Sequence, residues 1–289
     1  MVTLQNEYLK IEVNAFGAQL SSIIDKSDGL EHIWQGNPTV WAYHAPNLFP
    51  VVGGCMNDSI LVEGDTYPIK RHGFARTSNF KKIESSPNHA QFALRYNDET
   101  LKSYPYKFEF QVIYFVDKNL LRVIYKVINL DNKAIFFSVG GHPAFNVPFT
   151  PTENYEDYYV AFEHTENPPS HTLSANGFFN GETKNIAIAD GKLFLKPDLF
   201  NAAALVFKNL TSREVTIKST QHNKNIKITY PHFNYLGLWA KAGAPFLCVE
   251  PWLGCADTQG QQTEFSKKEA IQTLAHGHVF ETEFSVRIG

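Results

Sequence analysis

Alternation of apolar and polar residues with a period of two constrains this chain more than any other feature. A segment that hides every second side chain has to run as a strand with one face buried. From Lys107 to Val116 the residues Phe108, Phe110, Val112, Tyr114 and Val116 share a face, and after an Asp117-Lys118-Asn119 turn Leu121, Val123, Tyr125 and Val127 repeat the pattern. This predicts an antiparallel hairpin. Similar units are predicted at Leu9, Ile11 and Val13 before a turn at Gly17, and at Glu214 to Lys218 paired across His222–Asn225 with Ile226 to Thr229. A last strand spans Phe280 to Ile288, with Phe280, Thr282, Phe284, Val286 and Ile288 on one side. Helical periodicity is scarce, so the expected class is all-β, a sandwich or barrel whose 14% aromatic residues fill the space between curved sheets. No linker divides the chain, and residues 1–289 are expected to form a single domain. Thr165 to Asn180, rich in Pro, Ser, Asn and Gly, is predicted to be a surface excursion.

Charge and composition narrow the partners. A net charge of -3 gives no electrostatic reason to bind nucleic acid or an anionic membrane surface. No apolar run approaches the roughly 20 residues that span a bilayer, and no basic segment followed by an apolar stretch opens the sequence. A cytoplasmic location and a small-molecule ligand are therefore expected. Cys55, Cys248 and Cys255 form an odd set and are predicted to be free, small core residues. The spacing of Cys248 and Cys255 around Glu250 is not that of a zinc knuckle, and His276-Gly277-His278 supplies too few ligands for a closed site, so no metal is expected.

Two segments deliver a titratable side chain directly before a proline. Phe246-Leu247-Cys248-Val249 runs into Glu250-Pro251-Trp252, where a buried strand is expected to give way to a rigid turn, and Phe136-Phe137-Ser138-Val139 runs into Gly140-Gly141-His142-Pro143. Burial of an unpaired carboxylate costs several kcal/mol or raises its pKa. The following proline holds Glu250 in extended backbone. A fixed, partly dry carboxylate suits a general base, and a histidine suits its partner acid, although a structural ion pair and a strand-end histidine are the plainer alternatives. In Lys70-Arg71-His72-Gly73-Phe74-Ala75-Arg76, cations surround a histidine, which fits a polyhydroxylated or anionic ligand or, more simply, a solvated basic loop. Trp252, with Trp239, offers a flat apolar face to a sugar ring, and Asp257 follows closely. Signatures of serine hydrolases, zinc proteases, phosphate-cradling loops and dinucleotide folds are missing.

Taken together and in order, these stretches resemble the aldose 1-epimerase (galactose mutarotase-like) family, in its LacX-like branch. The resemblance rests on Ala45-Pro46-Asn47-Leu48-Phe49-Pro50-Val51-Val52-Gly53, His72-Gly73-Phe74-Ala75-Arg76, Gly140-Gly141-His142-Pro143-Ala144-Phe145, and Glu250-Pro251-Trp252 with Gly254 and Asp257. It implies a large antiparallel β-sandwich, a sugar site on a concave face, and interconversion of the α and β anomers of a hexose without a cofactor. It also implies that Glu250 takes the proton of the C1 hydroxyl, that His142 protonates the ring oxygen, and that His72 and Arg76 hold sugar oxygens. Arg71, Trp252 and Asp257 complete the expected substrate-binding set. On this basis Glu250 and His142 are expected to face each other across a gap that one pyranose ring fills. A monomer or homodimer is expected.

Two positions depart from the family's pattern. Gly54-Cys55-Met56 stands where a basic residue is common, and Phe200-Asn201-Ala202-Ala203-Ala204-Leu205 has Ala203 at a frequent aspartate. Alternative readings are a hexose-6-phosphate 1-epimerase using Lys70, Arg71 and Arg76, or a catalytically weak carbohydrate-binding or sensing protein. A glycoside hydrolase with Glu250 and Asp257 as its carboxylates ranks last.

Overall fold

A computed structural model describes residues 1–260 and 262–289. Antiparallel pairing dominates. One sheet has nine strands, in the order Lys192–Phe194, Tyr158–Phe162, Glu214–Ser219, Asn225–Thr229, Val279–Ile288, Leu120–Asn129, Phe108–Asp117, His89–Arg95 and Lys81–Ser86. The predicted hairpin forms with a tight Lys118-Asn119 connection, pairing Leu120 with Asp117 and Asn129 with Phe108. Phe108, Phe110, Val112, Tyr114 and Val116 are all buried, as the alternation requires. The 214–229 hairpin and the final strand also form where expected.

A second sheet runs Phe179–Lys184, Ser170–Leu173, Leu205–Lys208, Tyr235–Trp239, Phe246–Leu253, Val139–Gly141 and Asn47–Leu48, with Ala144–Asn146 also paired to Phe246–Leu253. The aromatic layer between the sheets is continuous. Phe49, just after Asn47–Leu48, stacks on Phe110 of the large sheet at 4.5 Å and 13°, and Phe108 and Phe137 pack around it. A polar clasp crosses the same layer, because the Tyr125 hydroxyl donates to Asn47 Oδ1 at 2.8 Å while Asn47 Nδ2 donates to the carbonyls of Gly17 and Ala18. Its donors and acceptors are paired, so the clasp fixes sheet register without leaving a buried polar group unmet.

Two expectations about the chain path need correction. The strand carrying Glu250 does not stop there but continues through Pro251 and Trp252 to Leu253. Val249 donates its N–H to the Pro143 carbonyl, and by strand alternation the ring nitrogen of Pro251 faces the same side, where the break between Val139–Gly141 and Ala144–Asn146 requires no donor. The Thr165 to Asn180 stretch is likewise no simple surface loop. It contains Ser170–Leu173, which extends the second sheet and turns back into Phe179–Lys184.

Phe110→Ala is expected to lower unfolding free energy by about 3–5 kcal/mol, the range for truncating a buried aromatic. Urea denaturation followed by tryptophan fluorescence measures it, and a loss under about 1 kcal/mol would contradict the central place given to the Phe49–Phe110 stack.

Candidate active site

The second sheet supplies the floor of a cavity of about 340 Å³. Cys248, Glu250 and Trp252 alternate onto one face of their strand. Gly237 on the neighbouring strand makes the space, since a Cβ there would stand 2.7 Å from the Trp252 indole and 3.3 Å from the Glu250 Cβ. His142 occupies the break between the two short strands, anchored by its N–H to the Pro46 carbonyl at 3.1 Å. Its ring stacks on Trp41 at 5.1 Å and meets Trp239 edge-on at 5.9 Å. His72 adopts a left-handed backbone, φ 67°, ahead of Gly73, where a Cβ would collide with the Phe49 carbonyl at 2.2 Å. Only glycine lets that loop press so closely on the 47–49 segment.

His142 Nε2 lies 3.1 Å from Glu250 Oε2, yet the two are not aligned as a hydrogen bond, and Glu250 Oε2 and His142 Nδ1 have no hydrogen-bond partner. The expected ring-wide gap is therefore not there. The two groups touch, a spacing suited to the two oxygens that share the anomeric carbon rather than to opposite sides of a ring. Both are nearly sealed, at 8% and 1% exposure. Burial pushes the Glu250 carboxyl well above the ordinary carboxylate range and pushes the His142 imidazole down, helped by the charge of Arg76. Both shifts favour one pairing, a neutral carboxylic acid beside a neutral imidazole. It holds the same number of protons as a carboxylate beside an imidazolium, and one short transfer converts one into the other.

His72 is also held neutral, by burial first and then by His142, Arg76 and Arg71. Its Nδ1 accepts the Gly53 N–H at 3.1 Å, which leaves Nε2 to carry the proton and act as a donor. Arg76 donates to the Arg71 carbonyl at 2.9 Å and lies over the Tyr43 ring, while its buried Nε has no partner. Arg71 donates to the Asn176 carbonyl, tying one rim of the cavity to the hairpin opposite. Neither arginine forms an ion pair with a carboxylate among the described residues.

Of the residues singled out from sequence, His142, Glu250, His72, Arg76, Arg71 and Trp252 all line this one cavity, although they come from three distant segments. Asp257 does not. Its carboxylate is engaged by Lys268 and by the Met56 N–H at 2.8 Å, so it holds two loops together and supplies neither a sugar contact nor a second hydrolase carboxylate. His276 hydrogen-bonds the Asp131 carbonyl. Sequence reasoning missed Trp41, the 174–179 turn and the wall made by Ala202, Ala203 and Ala204. Trp41 carries no local motif, and only its aromatic size hinted at a structural role. The alanine wall coincides with the departure at Ala203.

Matches to known proteins span most of the chain. The family model described as Aldose 1-epimerase matches residues 1–285. Protein LacX of Lactococcus lactis subsp. lactis is 35% identical over 264 residues, covering 88% of this chain and 87% of that protein. A galactose mutarotase related enzyme from Lactobacillus acidophilus superposes with a TM-score of 0.94 at 31% identity, covering 100% of this chain and 97% of the other. A galactose mutarotase-like protein from Lactobacillus casei gives 0.94 at 32% identity with full coverage of both chains.

The raised pKa of Glu250 has a consequence for stability. Above the ordinary carboxylate value of 4.5 the unfolded chain has lost this proton while the folded chain keeps it, so this group's contribution to stability falls as pH rises toward the folded value. His142, shifted down from 6.5, acts in the opposite sense, its contribution falling as pH drops below that value. Glu250→Gln cannot ionise. As pH rises above 4.5, its thermal midpoint is expected to lose less, or gain more, than that of the unsubstituted chain, the His142 contribution being present in both, as differential scanning calorimetry would show. Parallel changes would contradict the buried neutral carboxyl.

Proposed function

Because the chain belongs to the aldose 1-epimerase family, we propose that it interconverts the α and β anomers of a hexose by opening and reclosing the sugar ring. The observation that carries this reading is the 3.1 Å contact between His142 and Glu250 at the floor of a cavity lined by tryptophans and fixed donors. Ring opening requires a proton to leave O1 and another to reach O5, and closure on the other face requires the reverse. A pair that shares one mobile proton meets both needs.

With a sugar seated above the pair, the proton of Glu250 passes to His142, because the O1 hydroxyl and O5 of the sugar hydrogen-bond the carboxylate and imidazolium that result. The Glu250 carboxylate then accepts the O1 proton, and the His142 imidazolium donates to O5. Rotation about C1–C2 in the open aldehyde precedes the same two transfers run backward. The Nε2–H of His72 and the guanidinium of Arg76 hold sugar oxygens and stabilise charge developing on O5. Trp252, Trp239 and Trp41 offer flat apolar surface to the ring.

A second reading concerns the substrate. Arg71 and Arg76 reach the cavity with only backbone carbonyls as partners, and a 6-phosphate would supply the anion that no carboxylate of the cavity rim provides. Polarimetry and anomer-resolved NMR on fresh glucose, galactose and their 6-phosphates separate the two. Glu250→Gln and His142→Asn are each expected to lower the rate by at least about a hundredfold with the fold intact. Rates equal to the unsubstituted enzyme would overturn the reaction, and saturable sugar binding without turnover would point to a sensor. If the phosphorylated sugar is the substrate, Arg71→Ala raises its KM about tenfold or more, the scale of one hydrogen bond to a charged group, and leaves the KM of the free sugar unchanged.

A further inference from the structure

Beneath the proton pair lies a third side chain that the reaction does not use. Cys248 precedes Glu250 by two positions on the same strand face, opposite Trp239 and Ala144 on the flanking strands. One ligand atom each from His142, Cys248 and Glu250 lies within 4.8 Å of the other two. We propose that these three residues form a binding site for a thiophilic divalent cation, Zn²⁺ being the type, and that occupation of this site silences the proton pair.

The chemistry of the donors selects the ion. An imidazole nitrogen, a thiolate and one carboxylate suit zinc and disfavour magnesium and calcium, which take oxygen ligands. Tetrahedral zinc with bonds of about 2.0–2.3 Å places its ligands about 3.3–3.6 Å apart. The His142–Glu250 separation of 3.1 Å is already near that value, and side-chain rotation of about an ångström brings in the sulfur. The donors are buried, at 8%, 0% and 1% exposure, with Cys248 and Glu250 on one strand and His142 in the break of the strand beside it. Glu250 Oε2 is buried without a hydrogen-bond partner, so the site contains a carboxyl oxygen that nothing else satisfies. On ligation the Cys248 thiol and the Glu250 carboxyl each release a proton to solvent, and His142 binds as the neutral imidazole. A cation there takes the Nε2 lone pair and the carboxylate that ring opening needs.

Binding is tested without turnover, so it stands apart from the proposed reaction. The full chain is titrated with Zn²⁺ against a chromophoric chelator, and separately with Co²⁺ while the sulfur-to-cobalt charge-transfer absorption is followed. One equivalent is expected, with the cobalt band present. Cys248→Ala is expected to lose the band and to lower zinc affinity by more than the about 10- to 100-fold that loss of an outer-shell partner costs. Cys248→Ser, closer in volume, keeps the core filled and is expected to lose the band as well. Glu250→Gln is expected to weaken zinc binding while Cys255→Ala leaves it unchanged. Absence of stoichiometric binding to the unsubstituted chain would overturn the site, and so would a folded Cys248→Ala or Cys248→Ser variant that retains the cobalt band.

Discussion

Everything distinctive about this molecule follows from removing water around one carboxyl and one imidazole. In water Glu250 would be ionised near neutrality and His142 would titrate close to it. Buried at the floor of the cavity on the second sheet, both are driven toward their uncharged forms, 3.1 Å apart. The enclosure is built from large parts. Trp41 covers the imidazole, Trp239 meets it edge-on, and Gly237 leaves the space that lets the Trp252 indole lie beside Glu250 on one sheet face. Loosening this shell would return water to the carboxyl and favour its ionised form.

Around the pair the cavity divides its tasks. One rim is cationic and polar, carrying Arg71, His72 and Arg76, and the far wall is made of three alanines. Hydroxyls or an anionic group thus have partners on one side alone, while the alanine wall tolerates bulk without directing it. The Arg71 bond to the Asn176 carbonyl joins the cationic rim to the Ser170–Lys184 hairpin, so rim and roof are mechanically one unit.

The strands of the large sheet were legible because alternation is a local signal: Phe108 to Val127, Glu214 to Thr229 and Phe280 to Ile288 each declare a buried face within a few residues. Six cavity-lining residues were legible for other reasons: Glu250 and His142 as titratable groups set directly before prolines, Arg71, His72 and Arg76 as a basic cluster, and Trp252 as an aromatic beside Glu250, with their roles taken from the family resemblance. What could not be read is what depends on neighbours distant in sequence. Trp41 matters only because Pro46 and the break at His142 bring the imidazole beneath it. The 165–180 stretch has the composition of a loop, yet sheet pairing with Leu205–Lys208 turns part of it into strand and roof. Asp257 sits near Glu250 in sequence and belongs to another environment because Lys268 claims it. The contact between Glu250 and His142, in place of a ring-wide gap, is a matter of sheet register that no motif encodes.

The central claim is that a neutral acid and a neutral base share this site at rest. Infrared difference spectroscopy of the unsubstituted chain against Glu250→Gln at neutral pH, with isotope-labelled glutamate, reads the protonation of that single carboxyl. The account predicts a protonated carboxylic-acid stretch that disappears in the variant. A carboxylate band in its place, with no acid stretch, would contradict it.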